Sequence, residues 1–348
     1  MRTIYDLITA SNIVAYTTTR EYSYDAEYLG RSLFPDRKQA GLSLAWLRDN
    51  LGVSIALRPS SFDVKAELRD RIGFAKAETE MAFFKEAMRI SETDRQKLIM
   101  IANEDYVAPI IARIFDDYSN LIDGIEIQAE RMRMQLLSSG KISISRDGAA
   151  YEYDYLFPAG NTDEITVAND KWSALTTADP LSDIEGWVTA VQTNGGEKPT
   201  RAICSPTIWR HIRNNSVVKA AMNPITYATA RMSSMQVQEY VLEQTGVFVE
   251  VYDKKYRSAQ GVAATPYYPV NMFTLLPEGV VGNTYYGTTP EEADLIGGKT
   301  DAEISLVNAG TAVTTSRITD PVTVDTKISA VLLPTFPKID SVFIAKVV

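Results

Sequence analysis

The stretch Glu130–Pro158, ERMRMQLLSSGKISISRDGAAYEYDYLFP, decides how the rest of the chain is read. It begins with the spacing of a helix and ends with the alternation of a strand pair, and Gly140 is the only pause between them. Glycine can take the left-handed backbone that closes a helix, so the helix is expected to stop there without a loop. Ile142 and Ile144 then alternate with serines. Arg146, Asp147 and Gly148 supply a turn, because Asp-Gly accepts positive φ. Tyr151, Tyr153 and Tyr155 fall on one face of the returning strand, and Glu152 and Asp154 point the other way. The pattern predicts a hairpin over 141–157 joined directly to a helix.

Upstream, Val107, Ile110, Ile111, Ile114, Tyr118, Leu121, Ile122, Ile125, Ala129, Met132 and Leu136 recur at steps of three and four, one apolar stripe on one helical face. The spacing predicts a helix over about 106–138, roughly 45–50 Å long at ~1.5 Å per residue. Asp105 is the expected N-cap, and Pro109 is tolerable in the first turn. Gly124 sits mid-helix, where it costs roughly 1 kcal/mol relative to Ala. It reads either as a bending point or as a place of close packing against a strand.

Residues 1 to about 50 read as an arm. TIYDLITASNIVAY holds one short amphipathic helix, and DAEYLGRSLFPD holds another that Pro35 ends. With Tyr5, Tyr16, Tyr22, Tyr24, Tyr28, Phe34 and Trp46 it is too aromatic to stay solvated, so it should pack on its own body or on a neighbour. Residues 57–97 interleave positive and negative charge. Within them FDVKAELR alternates like a strand, whereas AKAETEMAFFKEAMR is rich in helix formers. A protruding two-stranded loop and a surface helical hairpin both fit.

From Asp179 onward helices alternate with strands, which indicates a sheet flanked by helices. LSDIEGWVTAVQTNGG opens with Ser182 and Glu185 as a capping box, and Ser205-Pro206 begins the helix PTIWRHIRNN. SSMQVQEYVLEQTG is a further helix ended at Gly246; TRAICS, VFVEVYD and NMFTLLPEG are strands. The apolar close, ISAVLLPTFPKIDSVFIAKVV, returns to strand and is expected to anchor in the first domain's sheet.

Composition excludes several function classes. The 348 residues carry 35 Lys and Arg against 44 Asp and Glu, a net charge of −9, which argues against a surface built to hold phosphates. No apolar run is long enough to span a bilayer, and the first residues lack a signal-peptide layout. A single cysteine excludes an internal disulfide, and one histidine leaves no transition-metal ligand set. Cys204 lies in an apolar strand and His211 beside Trp209, so both read as core rather than as nucleophile and base. The glycines at 194–196 and 296–299 read as turns, and Asp179, Asp183 and Glu185 as helix-start carboxylates. No basic residues interleave with Tyr151, Tyr153 and Tyr155, so they read as packing rings rather than base-stacking platforms. No catalytic, metal or cofactor site is expected.

The order of these parts resembles the lambda-type major capsid proteins of tailed bacteriophages, the E family. The residues that carry the resemblance are DAEYLGRSLFP, ERMRMQLLSSGKISIS, DPLSDIEGW, GVFVEVYDKKY and LLPTFPKIDSVFIAKV, and it extends over nearly the whole chain. It implies an α+β fold of the HK97 type. The implied parts are an N-terminal arm (1–56), an extended loop (57–97), a peripheral domain (98–178 plus 321–348) with a spine helix, and an α/β axial domain (179–320). It implies a structural protein, not an enzyme, that self-assembles into the hexamers and pentamers of an icosahedral head around double-stranded DNA. Such a shell forms as a procapsid and then expands. Implied partners are copies of itself, a separate scaffold protein, a portal and a decoration protein; DNA is enclosed without sequence-specific binding, and no membrane is involved. Synthesis in the host cytoplasm and residence in the virion follow. Expected assembly contacts are Tyr22, Tyr24, Phe34 and Trp46 in the arm, and Arg58, Arg69, Arg71, Phe74, Glu78, Glu80 and Lys85 in the loop, with Gly124 as a hinge in the spine helix. A cargo-holding encapsulin-like compartment and an α/β enzyme are the alternatives.

Overall fold

A computed structural model describes residues 8–19, 28–48, 75–93, 104–146, 149–223, 231–259, 261–298, 302–320 and 322–348. In chain order the arm gives α1 (Ala10–Thr19), α2 (Leu29–Leu33), β1 (Asp36–Lys38) and β2 (Ser43–Arg48). Next come β3 (Ala75–Glu80), β4 (Ala82–Ile90) and the long helix α3 (Glu104–Ser139). The hairpin strands β5 (Lys141–Arg146) and β6 (Ala149–Asp154) precede β7 (Thr162–Glu164). The alternating region supplies α4 (Pro180–Thr193), β8 (Arg201–Cys204), α5 (Pro206–Asn214), α6 (Ser216–Met222), α7 (Ser234–Thr245) and β9 (Phe248–Val251). It continues through β10 (Lys255–Tyr256), β11 (Thr265–Pro266), β12 (Met272–Leu276), β13 (Thr284–Tyr286) and α8 (Pro290–Gly297). The last strands are β14 (Glu303–Val307), β15 (Thr311–Thr319), β16 (Val322–Pro334) and β17 (Phe343–Lys346).

Contacts divide the chain into two compact units, 1–45, 78–132 and 283–335 against 46–77, 133–282 and 336–348. The division falls inside α3, between Met132 and Arg133. In the first unit β16 is the central strand of a sheet ordered β1-β13-β16-β15-β14, with β4 also paired to β16. Tyr118, Ile122, Ile125, Ala129 and Met132 of α3 are buried, and full burial of an Ile or Met side chain contributes about 1.5–3 kcal/mol. In the second unit the sheet order is β7-β17-β12-β8-β9. Its core holds an aromatic group in which Trp172 lies 5.0 Å from Phe273, and Trp187 lies 5.5 Å from Phe343, between ring centroids.

The final strand corrects an expectation. β17 pairs antiparallel with β12, Phe273 opposite Ala345, and so belongs to the α/β sheet rather than to the sheet of β16. The apolar run was too uniform to show which sheet it joins; β16 takes its first part and β17 its last. The segment rich in helix formers also resolves as strand. Ala82 pairs with Leu332 and the ladder continues to Ile90 opposite Val324, so nine cross-strand pairs override helix propensity. The first helix of the α/β region is capped by Asp179, which accepts from the Ser182 amide at 3.3 Å, with Pro180 in the first turn; the expected Ser182–Glu185 box does not form. A true capping box joins Ser233 and Gln236 at the start of α7.

The join at Gly140 has the expected form. α3 spans 36 residues and ends as Gly140, at φ 66°, donates to the Leu136 carbonyl at 2.9 Å. The Gly140 carbonyl then accepts from the Tyr155 amide at 3.2 Å, which ties both ends of the hairpin to the helix terminus. Ile142 faces Tyr153 and Ile144 faces Tyr151, with both isoleucines buried. The turn residues 147–148 lie outside the described residues, and β6 ends one residue before Tyr155. Deeper in the second unit, the Thr274 hydroxyl donates to the Leu137 carbonyl at 2.8 Å, satisfying one of the helix's last acceptors. Gly124 packs closely against none of the described residues: a Cβ there would meet nothing of them within 4 Å.

These two glycines make opposite predictions. A Cβ at 140 would lie 2.6 Å from the Phe157 Cβ, on a left-handed backbone. Gly140→Ala is therefore expected to destabilise the protein by about 2–4 kcal/mol in denaturant unfolding. Gly124→Ala is expected to be neutral or to stabilise by up to about 1 kcal/mol in the same measurement.

Candidate assembly surfaces

The first unit is organised by buried carboxylates. Glu126 and Glu130 are four residues apart on α3, hence on one face, and both are buried. Buried charge is costly unless it is paired and hydrogen-bonded. The arm supplies the partners. The Gly30 amide donates to Glu130 at 3.0 Å, and the Arg31 guanidinium lies 3.5 Å from Glu126 and 3.1 Å from Asp36. Tyr286 donates to Glu126 at 3.4 Å from the sheet side. β1 then runs parallel to β13, and the Thr284 hydroxyl donates to the Phe34 carbonyl at 3.0 Å. Lys38 closes the set, donating to the Gly287 carbonyl at 3.0 Å and to Glu292 at 2.5 Å. Helix α1 is held apart from these, by Ser11 to Glu303 at 2.6 Å and Tyr16 to Asp116 at 2.9 Å.

On the sheet, Glu291 accepts from Lys327 at 2.5 Å and from Ser329 at 2.8 Å. Burial alone would raise its pKa, but these hydrogen bonds outweigh burial and hold the carboxyl below its ordinary value. Arg89 of β4 makes two 2.7 Å bonds to Asp325 of β16 and holds that carboxyl low in the same way. The pair is exposed, so its weight in stability is small and its use is to set strand register. From Lys85 to Arg89 every side chain of β4 is exposed, on both faces of the strand. Among the described ladders β4 pairs with β16 alone.

The residues expected at assembly contacts fall into three groups. Tyr22, Tyr24, Arg58, Arg69, Arg71 and Phe74 lie outside the described residues, as does the side chain of Glu78. Phe34 is fully buried in its own chain. Trp46, Glu80 and Lys85 are at or near the surface: Trp46 lies 5.5 Å from the Tyr155 ring, Glu80 is exposed, and the Lys85 ammonium sits 5.7 Å over Phe83. Sequence reasoning missed Glu126 and Glu130. Their signal was present as two acids four apart beside an apolar stripe.

Cys204 is buried, and burial pushes its thiol far above the ordinary range. Burial and the charge of Arg210 lower His211. Among the described residues no group of three or more His, Cys, Asp or Glu could hold a metal ion, and no helix is long and apolar enough to cross a membrane.

A two-unit α+β chain with a 36-residue helix running into a hairpin, and a second sheet flanked by helices, is an HK97-type shell fold. Residues 9–347 match the phage major capsid protein E family, and the chain belongs to it. Its structure is similar to a capsid protein assigned to a prophage of E. coli CFT073, at 15% identity, with a TM-score of 0.59 over 98% of this chain and 99% of that one. It is also similar to a phage-related protein from Bordetella bronchiseptica RB50, at 10% identity, with a TM-score of 0.55 over 97% of each chain. No curated protein matches the sequence.

Two outcomes follow from the carboxylates. Glu130→Ala leaves the Gly30 amide buried without its acceptor and is expected to cost about 1–3 kcal/mol, read as lower thermal stability and faster proteolysis of the arm. Glu291 and Asp325 are both held below their ordinary values of 4.5 and 3.8, so the stability they contribute is present above those values and is lost as pH falls below them. Unfolding followed from pH 7 downward should show stability falling below about pH 4.5, with a shallower acid slope in Lys327→Met.

Proposed function

We propose that this structural capsid protein builds the hexamers and pentamers of an icosahedral phage head that encloses double-stranded DNA. The observation that carries the proposal is the family match over residues 9–347 together with an HK97-type fold. The exposed strand β4 supports it: nine residues are paired along one edge, and the side chains of 85–89 are open on both faces, a surface suited to completion by neighbouring copies. The acidic balance supports a wall that does not hold the DNA it surrounds. A separate scaffold protein, a portal and a decoration protein are the proposed partners, with synthesis in the host cytoplasm and no catalytic step. Expansion of the procapsid would use Gly124 as the bending point of α3. Gly124→Ala shells that expand as the wild type does would remove that role.

The test is expression of the chain with and without its scaffold protein, followed by electron microscopy and sedimentation. Closed shells with six-fold and five-fold capsomers are expected. A monodisperse species of about 39 kDa that does not assemble under either condition would overturn the proposal.

A further inference from the structure

Two surfaces of the second unit carry opposite charge, and neither is matched by an ion pair among the described residues. The first is the outer face of α7. Met235, Glu239, Leu242 and Glu243 are spaced four, three and one residues apart, and so share one side of the helix. Met235 is 75% exposed and Leu242 41%, and both glutamates are exposed. The capping box of Ser233 and Gln236 at one end and left-handed Gly246 at the other fix where this helix begins and ends.

The second surface is the hairpin of β10 and β11. Its base is packed: Tyr256 lies 4.9 Å and Tyr252 lies 6.4 Å from Tyr267 between ring centroids, and the Tyr267 amide donates to the Lys254 carbonyl at 3.1 Å. Beyond that base the side chains turn to solvent. Lys255 and Arg257 flank Tyr256 and are exposed, as is Val262 at 45%. None of Glu239, Glu243, Lys255 and Arg257 has an ion-pair partner among the described residues. An acidic helix face with apolar side chains and a basic hairpin with an apolar one are thus complementary to each other, and among the described residues of one copy neither has an ion-pair partner.

We infer that the β10–β11 hairpin of one copy docks on the outer face of α7 of the next copy, Lys255 and Arg257 meeting Glu239 and Glu243. The inference rests on the shell reading and specifies one of its contacts. Because the two surfaces differ, the contact is heterologous, and repeated head to tail it generates a ring. A second copy is favoured over nucleic acid because the chain itself presents the matching acidic face and carries a net charge of −9.

The test is a charge swap. Lys255→Glu with Arg257→Glu places like charges at the contact, and so does Glu239→Lys with Glu243→Lys. Each double variant should yield roughly tenfold fewer shells at fixed subunit concentration, while circular dichroism and thermal unfolding of the unassembled protein stay as in the wild type. Combining all four substitutions should restore assembly toward the wild-type yield. Rescue separates this contact from general misfolding, and wild-type shells formed alongside show that the shell reading stands on its own. Two results would overturn the inference: folded double variants that assemble as the wild type does, or a fourfold variant with no recovery. A Lys255→Glu, Arg257→Glu protein that assembles normally but retains less duplex DNA would also overturn it, and would assign the hairpin to nucleic acid.

Discussion

Two carboxylates buried on one face of a long helix set the terms for the whole first unit. Glu126 and Glu130 sit beside an apolar stripe that must be covered, and a charge in that position has to be met. The chain meets it with its own N-terminal segment: a backbone amide from Gly30, a guanidinium from Arg31, and a strand that continues into the sheet beside β13. Segment 28–41 is therefore structural in a single copy, which explains why Phe34 is core. Removing the segment would take away these partners and bare the apolar surface beside them.

The features that could be read from sequence are those with local causes. The α3–hairpin join needs a residue that tolerates positive φ, and Gly140 was the only one available. Caps at Ser205 and Gly246 and the strands at 201–204, 248–251 and 272–276 announced themselves in the same way. What could not be read depended on partners distant in sequence. Residues 75–89 are strong helix formers, and only the long ladder to β16 makes the part from Ala82 onward a strand. The destination of β17 was hidden because a uniformly apolar run fits any buried sheet position. Of the residues expected at assembly contacts, the mix of rings and charge was visible, but exposure was not: Phe34 and Trp46 look alike in sequence and are buried to different degrees.

The division of labour between the two units follows from their surfaces. The first includes β4, which pairs with β16 alone among the described ladders and carries exposed side chains from Lys85 to Arg89. The second is a closed α/β core, in which the rings of Trp172, Trp187, Phe273 and Phe343 leave little room for adjustment. In the proposed shell, β4 would take its final environment from other copies.

Hydrogen exchange along β4, compared between unassembled protein and purified shells, tests this account most directly. The amides of residues 82–90 that face away from β16 should exchange quickly in the free chain and become strongly protected in the shell. Equal exchange in the two states would mean that the strand stays uncovered after assembly, and would contradict the account.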